Sequence, residues 1–360
     1  MTTSNQRLLV YIGSYAETDG PGIYVSEFDP ATGKLHIIQS LDGYRNPTFL
    51  NVDMAKHRAY SIGEMADANG SKAGEASSFS IDPATGKLTV INRKKTVNST
   101  TCHIQRDELS TRITVTSYHG GMVGTLELSA DGSIGELLDV QQHAGKGKDP
   151  ERQDKPHPHS SFYSADGSYL FVQDLGLDQI ITYKVDKQKH KLEPHQVTQL
   201  HGGAGPRHLV FHPNESFAYV INELDSTITV LRYDKHAGLL AIEETVSTLP
   251  EGFKGENGCA EITISADGAY LYGSNRGHDS IAVYAVDAAS GKLTSKQFVS
   301  VEGGHPRHFA LTPDGKFALV ANRDTNNIVM FSINEDGTLQ YTGEQLEVSK
   351  PVCVIPVYLD

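Results

Sequence analysis

Apolar and polar positions alternate in short runs along the whole chain, and no stretch shows the three-to-four-residue spacing of an amphipathic helix. Runs such as SYLFVQD, SFAYVIN, AYLYGSN and KFALVAN combine β-branched and aromatic residues at strand length. Each follows a tight turn: ADG at 165–167, PNE at 213–215, ADG at 266–268 and PDG at 313–315. A second turn recurs further along each phrase. DPATGKL occurs at 29–35 and 82–88, with looser forms ADGSI at 130–134, KHKL at 189–192, HAGLL at 236–240, ASGKL at 289–293 and EDGTL at 335–339. Six of these seven turns carry glycine at the aligned position (Gly33, Gly86, Gly132, Gly238, Gly291, Gly337), with His190 as the exception. Glycine supplies the positive φ that short hairpin turns need.

Successive markers are 53, 46, 58, 48, 53 and 46 residues apart. Each unit holds about four strands in roughly 50 residues, the pattern of a β-propeller blade. The prediction is an all-β, seven-bladed propeller of four-stranded antiparallel blades, forming one domain over 1–360. PVCVIPVY at 351–358 reads as a first strand with nothing after it, and LLVYIGSY at 8–15 as a second strand with nothing before it. Pairing them in one blade closes the ring and removes a free sheet edge. Polar, glycine-rich insertions at 64–76, 144–155 and 250–257 read as loops that together rim a pocket.

Composition narrows the function classes. Hydrophobic content is 38 %, enough for a sizeable core, and no run of 18 apolar residues suggests a membrane span. MTTSNQRLLVYIGSY lacks the layout of a signal peptide, so the expected location is the cytoplasm. Cys102, Cys259 and Cys353 are odd in number and far apart, which argues against a disulfide framework or a cysteine-rich zinc site. A net charge of −13 disfavours nucleic-acid binding.

The repeats supply an internal alignment. At the end of the second strand the matched residues are Tyr15, Glu64, Tyr118, Leu175, Glu223, Arg276 and Arg323. At the start of the first strand they are Thr48, Cys102, His159, Arg207, Ala260, Arg307 and Val352, followed by Phe49, His103, Ser160, His208, Glu261, His308 and Cys353. Scaffold positions repeat themselves, whereas these change identity and stay mostly polar, charged or aromatic. First strands line the channel of a propeller, so these residues converge on one mouth. Singly, each has a plain scaffold reading: an arginine beside Glu223 as an ion pair between blades, His208 and His308 as hydrogen-bonded structural residues, His157 as a loop residue. Four arginines and two carboxylates, Glu64 and Glu223, at aligned channel positions of an acidic protein are harder to assign to packing.

Several guanidinium groups around one mouth suit a multiply anionic small ligand. A carboxylate among them stays ionised, and His159, with an ordinary histidine pKa, is the better acid or base near neutrality. There is no GxSxG elbow, no phosphate-binding P-loop, no dinucleotide fingerprint and no HExxH.

GAGPRHLVFHPNESFAYVINE at 203–223, PHSSFYSADGSYLFVQDLGLDQI at 158–180 and SADGAYLYGSNRGHDSI at 265–281 resemble the seven-bladed β-propeller lactonase family, of the 6-phosphogluconolactonase and carboxy-cis,cis-muconate lactonising enzyme type. The resemblance covers essentially the whole chain. It implies a cofactor-independent site whose His, two Arg and Glu fall on His159 in PHSS, Arg207 with His208 in GPRH, Glu223 in VINE and Arg276 in SNR. Arg307 and His308 repeat the motif as HPRH.

The expectation is therefore a lactone hydrolase like 6-phosphogluconolactonase. His159, Glu223, Arg207 and Arg276 would be catalytic, with His159 or Glu223 activating water. His208, Arg307, His308, Arg323, Glu64 and His157 would bind substrate. No metal or cofactor, nucleic acid or membrane is expected; the partner is a small anionic lactone, and the protein a monomer or weak homodimer. The alternatives are a carboxymuconate cycloisomerase and a non-catalytic propeller that binds a partner or an anionic metabolite.

Overall fold

All six hairpin glycines singled out by the repeat take φ between +66° and +87°. The structure, a computed structural model, describes residues 6–66, 70–189 and 191–359. His190 and residues 67–69 of the first insertion lie outside the described residues.

The strands form seven four-stranded antiparallel sheets, and every described regular element is a strand. The first strands are Leu50–Asp53, His103–Arg106, Pro158–Tyr163, Pro206–Phe211, Gly258–Ile264, Pro306–Leu311 and Pro351–Leu359. Each packs against the next, and the last returns to the first, so they encircle one axis. The last of them pairs with Arg7–Ser14, joining the two ends of the chain in one blade as expected. No described helix is long and apolar enough to cross a membrane.

The core lies between the blades. Phe217–Asn222 is buried along its whole length, whereas the outermost strand of the same blade, Leu239–Ser247, is mostly exposed. Tyr219, Ile221, Ile228 and Val230 pack on Leu271, Ala282 and Tyr284 of the next blade. The hairpin turns reinforce this joint. The hydroxyls of Tyr11, Tyr219 and Tyr272 donate to the carbonyls of Gly86, Gly291 and Gly337, at 2.8, 3.1 and 2.9 Å.

Gly291 and Gly33 share a φ of +71°, but a Cβ on Gly291 would lie 2.5 Å from Phe217 while one on Gly33 meets nothing within 4 Å. Gly33→Ala is expected to cost about 1 kcal/mol for backbone strain, and Gly291→Ala roughly 2–4 kcal/mol because overpacking adds to it. Urea unfolding of the two variants separates these contributions.

One insertion differs from its reading as a loop. Within 64–76, strands Arg58–Ala66 and Lys72–Ile81 continue to pair as far as Ala66 with Lys72. Of its two glycines Gly70 takes a φ of +78° between the strands, whereas Gly74 marks a close approach: a Cβ there would lie 2.4 Å from Thr96 Oγ1. Residues 144–155 and 250–257 are irregular, as expected.

Candidate active site

A β-bulge recurs where first strands begin. Pro158 pairs with Asp174 and Ser160 with Gln173, so the ladder skips His159. The same shift skips Arg207 between Pro206 and His208, and Arg307 between Pro306 and His308. A proline that cannot donate to the ladder opens each of these strands, and the extra residue beside it is re-aimed. Three chemically able side chains are thereby presented at equivalent points around the axis.

Above them lies a cavity of about 520 Å³, lined by His159, Glu223, Arg276, Arg307, Glu64, Tyr15, Tyr118 and Arg152 among others. Glu223 is its electrostatic hub. Its Oε1 accepts from Arg152 Nη2 at 2.7 Å, and its Oε2 lies 2.9 Å from Arg276 Nη2 and 3.2 Å from Arg207 Nε. Burial alone would push the Glu223 carboxyl up, but Arg276, Arg207 and Arg152 together hold it well below the usual carboxylate range. It is a fixed anion and a poor proton acceptor. Arg276 is also tied to the carbonyls of Gly258 and Cys259, at 3.0 and 2.6 Å. Arg207 Nη1 donates to the Ala260 carbonyl at 2.5 Å, and burial with Arg307 and Arg276 nearby lowers its pKa to about 9, which leaves it charged at neutrality.

Arg307 differs from the other three. It lines the cavity over the Tyr15 ring, 5.8 Å from its centroid, and among the described residues it has no carboxylate partner and no hydrogen bond.

Of the residues predicted for the site, His159, Glu223, Arg276, Arg307 and Glu64 line the cavity, and Arg207 lies directly beneath, touching Glu223. Four others do not line it. His208 and His308 sit one layer lower, both against Glu261, at 3.0 and 3.2 Å. His157 stacks on the Tyr118 ring at 4.2 Å and donates from Nδ1 to the Tyr118 carbonyl at 2.7 Å, so it positions Tyr118. Arg323 is captured by its neighbour Asp324, at 2.6 Å from Nε, and lines an adjoining depression with Lys350 and Asn326, beyond Tyr15 and Asn46 of the cavity wall.

Arg152 and Tyr118 are residues of the site that the predicted set lacks. Arg152 comes from the 144–155 loop, which no other blade repeats. Beside it, Gln153 is fully buried: its Oε1 accepts from the Lys148 and Asp149 amides, and its Nε2 donates to the Leu175 carbonyl and to Asp178. Tyr118 stands at the position aligned with Glu223 and was visible there.

The imidazoles are not ordinary. Burial, then Arg207, His208 and Arg307, hold His159 well below 6.5. Burial also lowers His103 and His208 well below that value, and brings His308 down to about 4 against the opposing charge of Glu261. These groups are neutral when folded and take up protons on unfolding below about pH 6.5. Stability should therefore fall as pH drops from 6.5 towards 4, by up to about 1.4 kcal/mol per pH unit for each imidazole. Glu261, raised by burial, has the opposite sign, its contribution being lost as pH rises through its folded value. Four imidazoles outweigh it. Melting temperatures at pH 7.5, 6 and 5 should fall steeply in that order, and a flat profile contradicts the burial of neutral histidines.

Among the described residues no group of three or more His, Cys, Asp or Glu is placed to hold a metal ion.

Comparison with known proteins places this geometry in a lineage. The family model described as "Lactonase, 7-bladed beta-propeller" matches residues 9–356. The 6-phosphogluconolactonase of Bacillus subtilis is 34 % identical over 351 residues, covering 96 % of this chain and 97 % of that protein. A crystal structure of a Lactobacillus plantarum protein superposes with a TM-score of 0.90 at 32 % identity, over 98 % of this chain and 99 % of that one. The periplasmic gluconolactonase of Pseudomonas aeruginosa gives 0.90 at 30 % identity, over 98 % of this chain and 100 % of that one. The chain belongs to the seven-bladed β-propeller lactonase family.

Proposed function

We propose that this protein is a lactone hydrolase that opens a phosphorylated sugar lactone, the activity named for its Bacillus subtilis relative. The observation that carries the reading is Arg307, a guanidinium in the cavity wall with no carboxylate partner among the described residues. A ligand phosphate supplies the missing partner, and bidentate, charge-assisted contacts suit it.

Glu223 fixes Arg152 and Arg276 in the cavity wall and Arg207 beneath it, so the two wall donors need no reorganisation when negative charge develops on the carbonyl oxygen. With Glu223 held ionised by three cations, His159 is the proton acceptor. Water attacks the carbonyl carbon, its proton goes to His159, the ring C–O bond breaks, and the departing alkoxide takes the proton back. The surrounding arginines depress His159, and an anion seated on Arg307 offsets part of that field. The same ligand group that gives binding therefore raises the basicity of the catalyst. A cytoplasmic site of action and a place in the pentose phosphate pathway belong to this reading.

The test is loss of freshly made 6-phosphogluconolactone in the presence of purified protein, with spontaneous hydrolysis subtracted. Acceleration is expected, and its absence beside an active control enzyme overturns the reading. Arg307→Gln should raise KM for the phosphorylated lactone by about 10–100-fold with a smaller change in kcat, since it removes a charged hydrogen bond made in ground and transition states alike.

A further inference from the structure

Beneath the cavity floor a carboxylate and two imidazoles are enclosed together. Glu261 is 6 % exposed, and its Oε1 accepts from the Ile262 amide and faces His208 Nδ1, each at 3.0 Å. With Glu261 ionised its oxygens can only accept, so His208 donates from Nδ1 and the lone pair of the ring is left on Nε2. His208 Nε2 is buried and has no hydrogen-bond partner among the described residues.

His208 lines a void of about 10 Å³, room for one water, together with Arg207, Arg307, His308, Thr48 and Cys102 among others. Thr48, Cys102 and Arg307 also line the substrate-sized cavity, so the void adjoins its floor. Polar partners for a water are at hand: His208 Nε2 accepts, and the guanidinium of Arg207, which also lines the void, donates. The neighbouring imidazole, His159, has its own Nδ1 buried and without a partner. His159 stands beside the void and not in its lining, its ring 5.3 Å from that of His208 between centroids.

We propose that His159, one floor water, His208 and Glu261 form a proton relay, in which Glu261 and His208 are positioning residues that work through His159. The proposal rests on the lactone hydrolase reading. As the attacking water bonds to the carbonyl carbon, its proton goes to His159, and the Nδ1 proton of His159 passes through the floor water to His208 Nε2. Glu261 stabilises the imidazolium that results, as the buried carboxylate does in a serine-protease triad. The shift reverses when the ring C–O bond breaks and the alkoxide is protonated. The charged and imidazole groups that act on His208 are Arg207 on its own strand, with His159, His103, Glu261, Arg307, His308, Glu223 and Arg276 around it.

Glu261→Gln keeps the shape and the acceptor but removes the charge. The expected result is a 10–100-fold fall in kcat with KM and inorganic phosphate affinity unchanged within about twofold, and a shifted acid limb in the pH profile of kcat. A fall that merely tracks the melting temperature, with the pH profile unmoved, overturns the relay. Nitrogen-15 NMR of histidine-labelled wild-type protein holding inorganic phosphate reads the tautomer of His208 without any substitution. The Nδ1–H form is expected; the Nε2–H form overturns the relay whether or not lactones are hydrolysed. Absence of lactone turnover with the Nδ1–H form present would overturn the hydrolase reading, and with it the catalytic step of the relay, while leaving the dyad in place.

Discussion

Glu223→Gln is expected to lower lactone turnover by about 10²–10³-fold and to destabilise the fold by roughly 3–5 kcal/mol, a loss characteristic of removing one partner from a buried ion pair. The carboxylate is the shared counter-ion of Arg152, Arg207 and Arg276. Arg207 and Arg276 have side chains only 3 % and 9 % exposed, so their charges cannot turn to water when it is lost. Arg152 is 46 % exposed and contributes little to the stability loss. The acid dependence separates this account from plain repacking. The folded pKa of Glu223 is depressed, so its contribution is complete above the ordinary glutamate value of 4.5 and is lost only as pH falls through the folded value. At pH 7 the variant should show the full deficit, and wild type and variant should converge in stability in strong acid. Urea unfolding at pH 7 measures the full deficit, and at pH 3 the deficit should be narrowed but not closed.

His159→Gln is expected to lower kcat by about 10²–10⁴-fold, the usual contribution of a positioned acid–base group. Phosphate binding should be unchanged, because the cation proposed to meet the phosphate is Arg307, on a different blade. His159 is 4 % exposed and, among the described residues, its ring meets no carboxylate, so its removal leaves no anion uncompensated. The variant should also resist acid better than wild type, since one neutral buried imidazole fewer must charge on unfolding. Steady-state kinetics, phosphate titration and melting at pH 5 give three independent readings. A variant with unchanged kcat would remove His159 from the reaction.

The fold was legible because each blade repeats the same local solution. Glycine at a positive-φ turn and an apolar strand after each tight turn recur with enough regularity to count blades and to pair the chain ends. The heart of the site was legible for the opposite reason: Glu223, Arg276, His159, Arg207 and Arg307 break the repeat at positions where a scaffold would keep it. Depth was not legible. Arg207 and His208 are adjacent, and which one reaches up to Glu223 depends on a bulge that alternation alone does not reveal. His308 was misplaced for the same reason. Arg323 aligns with Glu223 and Arg276, yet the Asp324 that captures it stands next to it in the chain, where Gly277 follows Arg276. Arg152 lies in a loop with no counterpart in the other blades, so internal alignment had nothing to compare it with.

The central claim is that the cavity is built around a substrate anion that meets Arg307. The most direct measurement is the ratio of kcat/KM for 6-phosphogluconolactone to that for the unphosphorylated gluconolactone, in wild type and in Arg307→Gln. The expected wild-type ratio is about 10²-fold or more in favour of the phosphorylated lactone, collapsing by about 10–100-fold in the variant. Equal turnover of the two lactones by the wild type, or a ratio that survives the loss of Arg307, would contradict it.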